Sequence, residues 1–122
     1  MHCRLTELRK FIPQPHIIID YAHDTSVTRG DLLRHIANMQ QYFDGTATIE
    51  VMAYGEGLAL LTKDSGLTAE EAALPVVFLA CQNTMKRKGI TPSMLIPDAQ
   101  TIPSGLGHVV DRQLQGWAYI KE

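Results

Sequence analysis

Two cysteines among 122 residues cannot build a disulfide framework, and reduced thiols in a cytoplasmic setting are the expectation. No charge of either sign dominates. The formal net charge is -2, which offers no global attraction to nucleic acid or to an anionic membrane surface. No apolar run approaches the roughly 20 residues that span a bilayer. The stretch from Met1 to Leu8 lacks the apolar core of a secretory signal. Internal repeats and low-complexity segments are absent. The remaining picture, 45% hydrophobic and 20% charged residues, is that of one globular domain with a workable core. A cytoplasmic protein with no nucleic-acid or membrane partner is expected.

Residues 1–15 read as an N-terminal extension. Leu5, Leu8 and Ile12 have helical spacing, and Pro13-Gln14-Pro15 stops whatever precedes it. Residues 16–122 read as a single α/β domain. Its first strand is Ile17 to Tyr21, rich in β-branched residues, followed by a loop at His23-Asp24. A long helix follows, with Leu32, Ile36, Met39 and Phe43 on one stripe. Asp24, Ser26 and Asp31 can each cap it, and Asp44-Gly45 ends it. Thr46 to Ala53 is a second strand, Tyr54-Gly55-Glu56-Gly57 a turn, and Leu58 to Lys63 a helix. Thr68 and Glu71 form a capping box for a helix of barely two turns. Val76 to Ala80 is the third strand and Gln100 to Ile102 a short fourth, after one helical turn at Pro92. Ser104 caps a last helix whose Leu106, Val109, Val110 and Leu114 should face the core, and Trp117 to Ile120 closes the chain as a strand. Alternation of strand and helix throughout predicts a mostly parallel sheet covered on both faces.

The most apolar run, Val76 to Ala80, delivers Cys81 to a strand-to-helix junction. Asn83 suits the helix N-cap and Gly89 the position just past the helix end. Open parallel sheets bind ligands at this edge. A partly exposed thiol there meets the positive end of a helix, which favours thiolate and lowers the pKa, with Lys86, Arg87 and Lys88 close in sequence. The same edge would gather His23 and Asp24, then Tyr54, Gly55 and Gly57, then Asn83, then Ser104 and Gly105. Gly55-Glu56-Gly57 is not a dinucleotide fingerprint, because Leu60 stands where its third glycine belongs. Ser104 has no nucleophile elbow around it. Cys3 beside His2 is too isolated to suggest a metal.

Four pieces together resemble the DsrE/DsrF-like family. They are Ala80-Cys81-Gln82-Asn83-Thr84-Met85, Lys88-Gly89-Ile90, Ile102-Pro103-Ser104-Gly105, and Arg112-Gln113 with Gln115-Gly116-Trp117-Ala118-Tyr119-Ile120. The resemblance implies a flavodoxin-like three-layer α/β/α fold with about five mostly parallel strands, and homo-oligomers, trimers or hexamers. It implies sulfur handling in which a cysteine carries sulfur as a persulfide, with Cys81 aligned to the cysteine of the Ala-Cys-x-Asn-Thr motif. Tyr54 stands where many relatives have His, and the segment between Lys63 and Val76 is shorter than usual. Two functions follow as expectations. In the first, Cys81 relays sulfur between donor and acceptor proteins without metal or organic cofactor. Asn83 and Thr84 would shape the turn, His23 or Tyr54 would contact the carried sulfur, and Gly55, Ser104 and Gly105 would line the edge. The alternative is a non-catalytic oligomeric module that binds a small molecule or a protein, with Cys81 merely packed.

Overall fold

The computed structural model describes residues 14–122, so Cys3 and nearly all of the N-terminal extension lie outside the described residues. Five strands form one sheet: β1 (His16–Tyr21), β2 (Thr48–Ala53), β3 (Val77–Cys81), β4 (Gln100–Ile102) and β5 (Ala118–Lys121). All neighbours pair in parallel, in the order β4-β3-β2-β1-β5. The helical elements are α1 (Ser26–Tyr42), a 3-10 segment (Gly55–Leu61), α2 (Ala69–Ala72), α3 (Gln82–Lys88), a short 3-10 turn (Pro92–Met94) and α4 (Gly105–Leu114). This is the expected flavodoxin-like three-layer arrangement, with its own strand order in place of flavodoxin's 2-1-3-4-5.

The order explains the layers. From β1 to β4 the chain steps one strand at a time in one direction. Right-handed crossovers then put every connection on the same face. That face buries Leu32 and Ile36 of α1, Leu58, Leu60 and Leu61 of the 3-10 segment, and Met85 of α3 against Ile17, Ile19, Val51 and Phe78. From β4 the chain returns across the whole sheet to pair β5 with β1, so the same handedness sends α4 to the opposite face. There Val109 packs on Ile18, Met52, Leu79 and Cys81. Phe78 and Leu79 therefore face opposite layers, as strand alternation requires.

Several local expectations are corrected by the structure. Helix α1 is capped by Thr25, in a reciprocal box with Thr28, and not by Asp24, Ser26 or Asp31. Asp24 is already engaged by Arg29 and by the Tyr21 hydroxyl, and Asp31 by Arg34. The helix expected over Leu58 to Lys63 is instead the 3-10 segment, begun by the Gly57 N–H donating to the Tyr54 carbonyl at 2.9 Å. Strand limits shift by one or two residues. On α4, only Val109 of the four expected core residues is buried; Leu106, Val110 and Leu114 are exposed, Leu114 by 81%. The inward face is chosen by buried Glu50 on β2. It accepts from Arg112 at 2.8 and 3.0 Å and bonds the His108 ring at 2.7 Å. Burial raises the Glu50 pKa, but Arg112 and His108 outweigh it and hold the carboxyl below the usual range. The Arg112 guanidinium also lies 4.3 Å over the Trp117 ring, tying the end of α4 to the start of β5.

The Gly55-Glu56-Gly57 turn is set by backbone approach. A Cβ on Gly57 would stand 2.1 Å from the Tyr21 carbonyl oxygen, at the end of β1. Neither partner can yield, because both belong to the sheet-to-turn backbone. Gly57→Ala is expected to cost about 2–4 kcal/mol, at the upper end of single substitutions. Gly30→Ala has open space around it inside α1 and should gain about 0.5–1 kcal/mol. Urea unfolding midpoints of the two variants check the pair, and a Gly57→Ala midpoint equal to wild type would contradict the close approach.

Candidate functional site

Strand β3 runs into α3 with no intervening loop. Cys81 is both the last strand residue and the helix N-cap, so Asn83, expected as the cap, sits in the first helical turn. Gly89 ends α3 in the left-handed conformation at φ 68°, as expected. The chain leaves β3 toward the α1 face and leaves the adjacent β4 toward the α4 face. Their carboxyl ends therefore form a topological switch point, where ligands of open α/β sheets bind. Cys81 ends one of these strands; Ser104 and Gly105 follow the other, with Cys81 registered against Ile102.

The sulfur is enclosed by main chain. The Gly105 N–H, at the start of α4, donates to Cys81 Sγ at 3.2 Å. A Cβ on Gly105 would lie 3.1 Å from Cys81 Cβ, 3.3 Å from Sγ and 3.3 Å from Tyr54 Cβ, so glycine is what lets the helix start so near the thiol. Thr84, buried in the first turn of α3, accepts from the Gly55 N–H at 3.0 Å, which leaves its own hydroxyl proton for the sulfur. Ser104 caps α4 by accepting from the Gly107 N–H at 3.1 Å. Cys81 is 5% exposed, contrary to the partial exposure expected. Burial pushes the thiol pKa up. The amides of Thr84 and Gly105, the Thr84 hydroxyl and the Asn83 amide more than offset it, and the net shift is down. Lys86, Arg87 and Lys88 occupy the last turn of α3, away from the thiol, and Lys88 pairs with Glu56.

Of the residues singled out in the sequence, Cys81, Thr84, Asn83, Tyr54, Gly55, Ser104 and Gly105 come together at this edge. His23 follows the end of β1, within electrostatic reach of Glu56. Its side chain is exposed, and its carbonyl accepts from the Thr28 hydroxyl at 2.9 Å at the start of α1. Two residues that sequence reasoning missed lie beside Tyr54. Asp20 of β1 is 5% exposed, and its Oδ2 accepts from the Tyr119 hydroxyl at 2.7 Å. Burial and the Asp20 carboxylate raise the pKa of the Tyr54 phenol, and Asp20 does the same to Tyr119. The available signal was a charged residue breaking the apolar run Ile17-Ile18-Ile19, on the strand face shared with Ile18. Among the described residues no cluster of His, Cys, Asp and Glu could hold a metal, and no helix is long and apolar enough to cross a membrane.

Fold and site together define a three-layer α/β/α protein with a main-chain-bonded thiol at the switch point of its sheet. Neither a family model nor a curated protein matches the chain. Among solved structures it is similar to MTH1491 from Methanobacterium thermoautotrophicum, described as a protein of unknown function. The two share 29% identity at a TM-score of 0.85, over 89% of this chain and 100% of that one.

Thr84→Val keeps the shape of the first turn of α3 but removes a donor to the sulfur and the acceptor of the Gly55 N–H. The Cys81 pKa should rise, lowering the thiolate fraction at neutral pH, and stability should fall by about 1–3 kcal/mol. The pH profile of iodoacetamide alkylation, in a Cys3→Ser background, measures the shift. An unmoved or downward midpoint would show that Thr84 does not stabilise the thiolate.

Proposed function

We propose that this protein is a DsrE/DsrF-like sulfur carrier of the cytoplasm, in which Cys81 takes up and hands on a sulfane sulfur as a persulfide. The observation that supports it is the arrangement around Sγ: a buried thiol whose pKa is lowered by main-chain N–H groups from the starts of two helices. Such donors favour the thiolate, which is the nucleophile of persulfide exchange, and would equally stabilise a persulfide anion. Sulfur enters when the Cys81 thiolate attacks the outer sulfur of a donor persulfide. The new Sγ–S bond forms, the donor S–S bond breaks, and the electron pair leaves with the donor thiolate, which takes a proton from solvent. An acceptor thiolate then removes the outer sulfur by the same step. No metal or organic cofactor takes part. At 5% exposure the sulfur must be reached by a small displacement of the Pro103-Ser104-Gly105 turn that lies over it.

We further propose a homo-oligomer, a trimer or hexamer. Leu106, Val110 and Leu114 recur every fourth residue on the outer side of α4 and form a contiguous exposed apolar stripe.

The burial of Cys81 favours a second reading, a binding module in which the thiol only packs. One experiment separates them. The Cys3→Ser protein is incubated with a persulfide or thiosulfate donor and its intact mass is followed. The sulfur-carrier reading predicts addition of one sulfur per chain, lost in Cys3→Ser/Cys81→Ser. A folded protein that gains no sulfur, or a double variant that gains it equally, contradicts the reading and leaves the binding module.

A further inference from the structure

The connections from β1 to β2, β2 to β3 and β3 to β4 all lie on the α1 face, so none of them crosses above β5. Strand β5 is reached through α4, on the other face. All-parallel sheets are normally covered on both faces. On the α1 side Ile17 and Ile19 of β1 are buried, yet their register partners on β5 are not: Ala118 is exposed and Ile120 only half-buried. Between β5 and the end of α1 lies a groove of about 550 Å3, lined chiefly by Pro15, Ile17, Met39, Phe43, Ala118 and Ile120. Covering such apolar surface is favourable by about 25 cal/mol per Å2.

The chain itself supplies a matching segment. The described residues begin at Gln14, next to Pro15 of the groove wall, so residues 1–13 start at the groove itself. Leu5, Leu8 and Ile12 recur there at helical spacing, with Arg4, Glu7, Arg9 and Lys10 as the polar members. Pro13 and Pro15 keep a helix from running on into β1, which lets the segment turn back over the sheet. The sizes agree. Leu5 to Ile12 spans about 10 Å along a helix axis. The groove floor from Pro15 to Ile19, the register partner of Ile120, runs about 13 Å. The tether decides between this segment and its equivalent from a second copy. A short link holds a segment near its seat at an effective concentration of about millimolar, far above that of a second copy in micromolar protein.

We infer that the groove between α1 and β5 is the seat of the chain's own residues 5–12, with Leu5, Leu8 and Ile12 turned toward Ile17, Ala118 and Ile120. The N-terminal extension is then the cover that the topology omits from this face. It also shields the flank of β5, an edge strand. The seat is independent of the chemistry of Cys81 and holds for either reading of it.

Trypsin tests it, because Arg9 and Lys10 lie inside the seated stretch. The 122-residue chain, folded and reduced, is digested briefly, and fragments beginning at Lys10 or Phe11 are timed by intact mass. The rest of the chain staying uncut reports that the domain is folded. A seated segment must leave the groove before it is cut. Wild type should therefore be cut at least about tenfold more slowly than Leu5→Asp, the ratio for a seat worth ~1.4 kcal/mol. Ala118→Asp changes an exposed residue and leaves the segment's sequence intact, and it should speed cutting by a similar factor. Val110→Asp, at an exposed position of α4 on the opposite face, should leave the rate within about twofold of wild type. Wild type cut as fast as Leu5→Asp overturns the seat, and this arm alters nothing in the folded domain. Cutting that stays slow in folded Ala118→Asp, or that quickens equally in Val110→Asp, overturns the groove as the place of docking. Protection lost on about a hundredfold dilution gives the groove to a second copy and overturns the same-chain occupant.

Discussion

The hydrogen bond from the Gly105 amide to Cys81 Sγ ties the start of α4 to the end of β3. It exists because α4 crosses the sheet on the face opposite the other helices, which follows from the return of the chain from β4 to β5. It also exists because residue 105 is a glycine, since a side chain there would press on Cys81 and Tyr54 together. The Glu50, His108 and Arg112 cluster holds the far end of the same helix. Position of the thiol, orientation of α4 and the choice of its inner face are thus one connected arrangement.

Two opposing effects meet at the sulfur. Removal from water disfavours the thiolate, while donors fixed in the main chain favour it, and here the donors win. Main-chain donors have an advantage over lysines for this purpose. They are held by the helix starts, lose no side-chain entropy and remain in place when water is excluded. The three basic residues that look suited to the task in the sequence sit at the wrong end of α3, where they complement its carbonyls instead.

What the sequence reveals and hides divides along the range of the interaction. The α1 stripe, the Thr68–Glu71 box and the Gly89 cap depend on residues a turn apart, and each stands in the structure as read. The parallel sheet follows from strand-helix alternation, and the edge group around Cys81 from the strand ends. The inner face of α4 could not be read the same way. Its apolar spacing points to Leu106, Val110 and Leu114, yet Glu50, more than fifty residues earlier, draws His108 and Arg112 inward. The Thr25 cap was hidden by a local competition instead, because Asp24 is taken by Arg29 and Tyr21. Exposure of Cys81 depends on where a helix from the other side of the sheet begins, which no local pattern contains. Asp20 reads as a strand residue until the sheet brings the Tyr119 hydroxyl within hydrogen-bond distance of it.

The central claim is that main-chain donors lower the pKa of Cys81 in spite of its burial. Ultraviolet thiolate absorbance, followed against pH in folded Cys3→Ser with Cys3→Ser/Cys81→Ser subtracted, tests it most directly. The account predicts a midpoint below the free-thiol value of about 8.5. A midpoint at or above that value, or no thiolate signal until the protein unfolds, would contradict it.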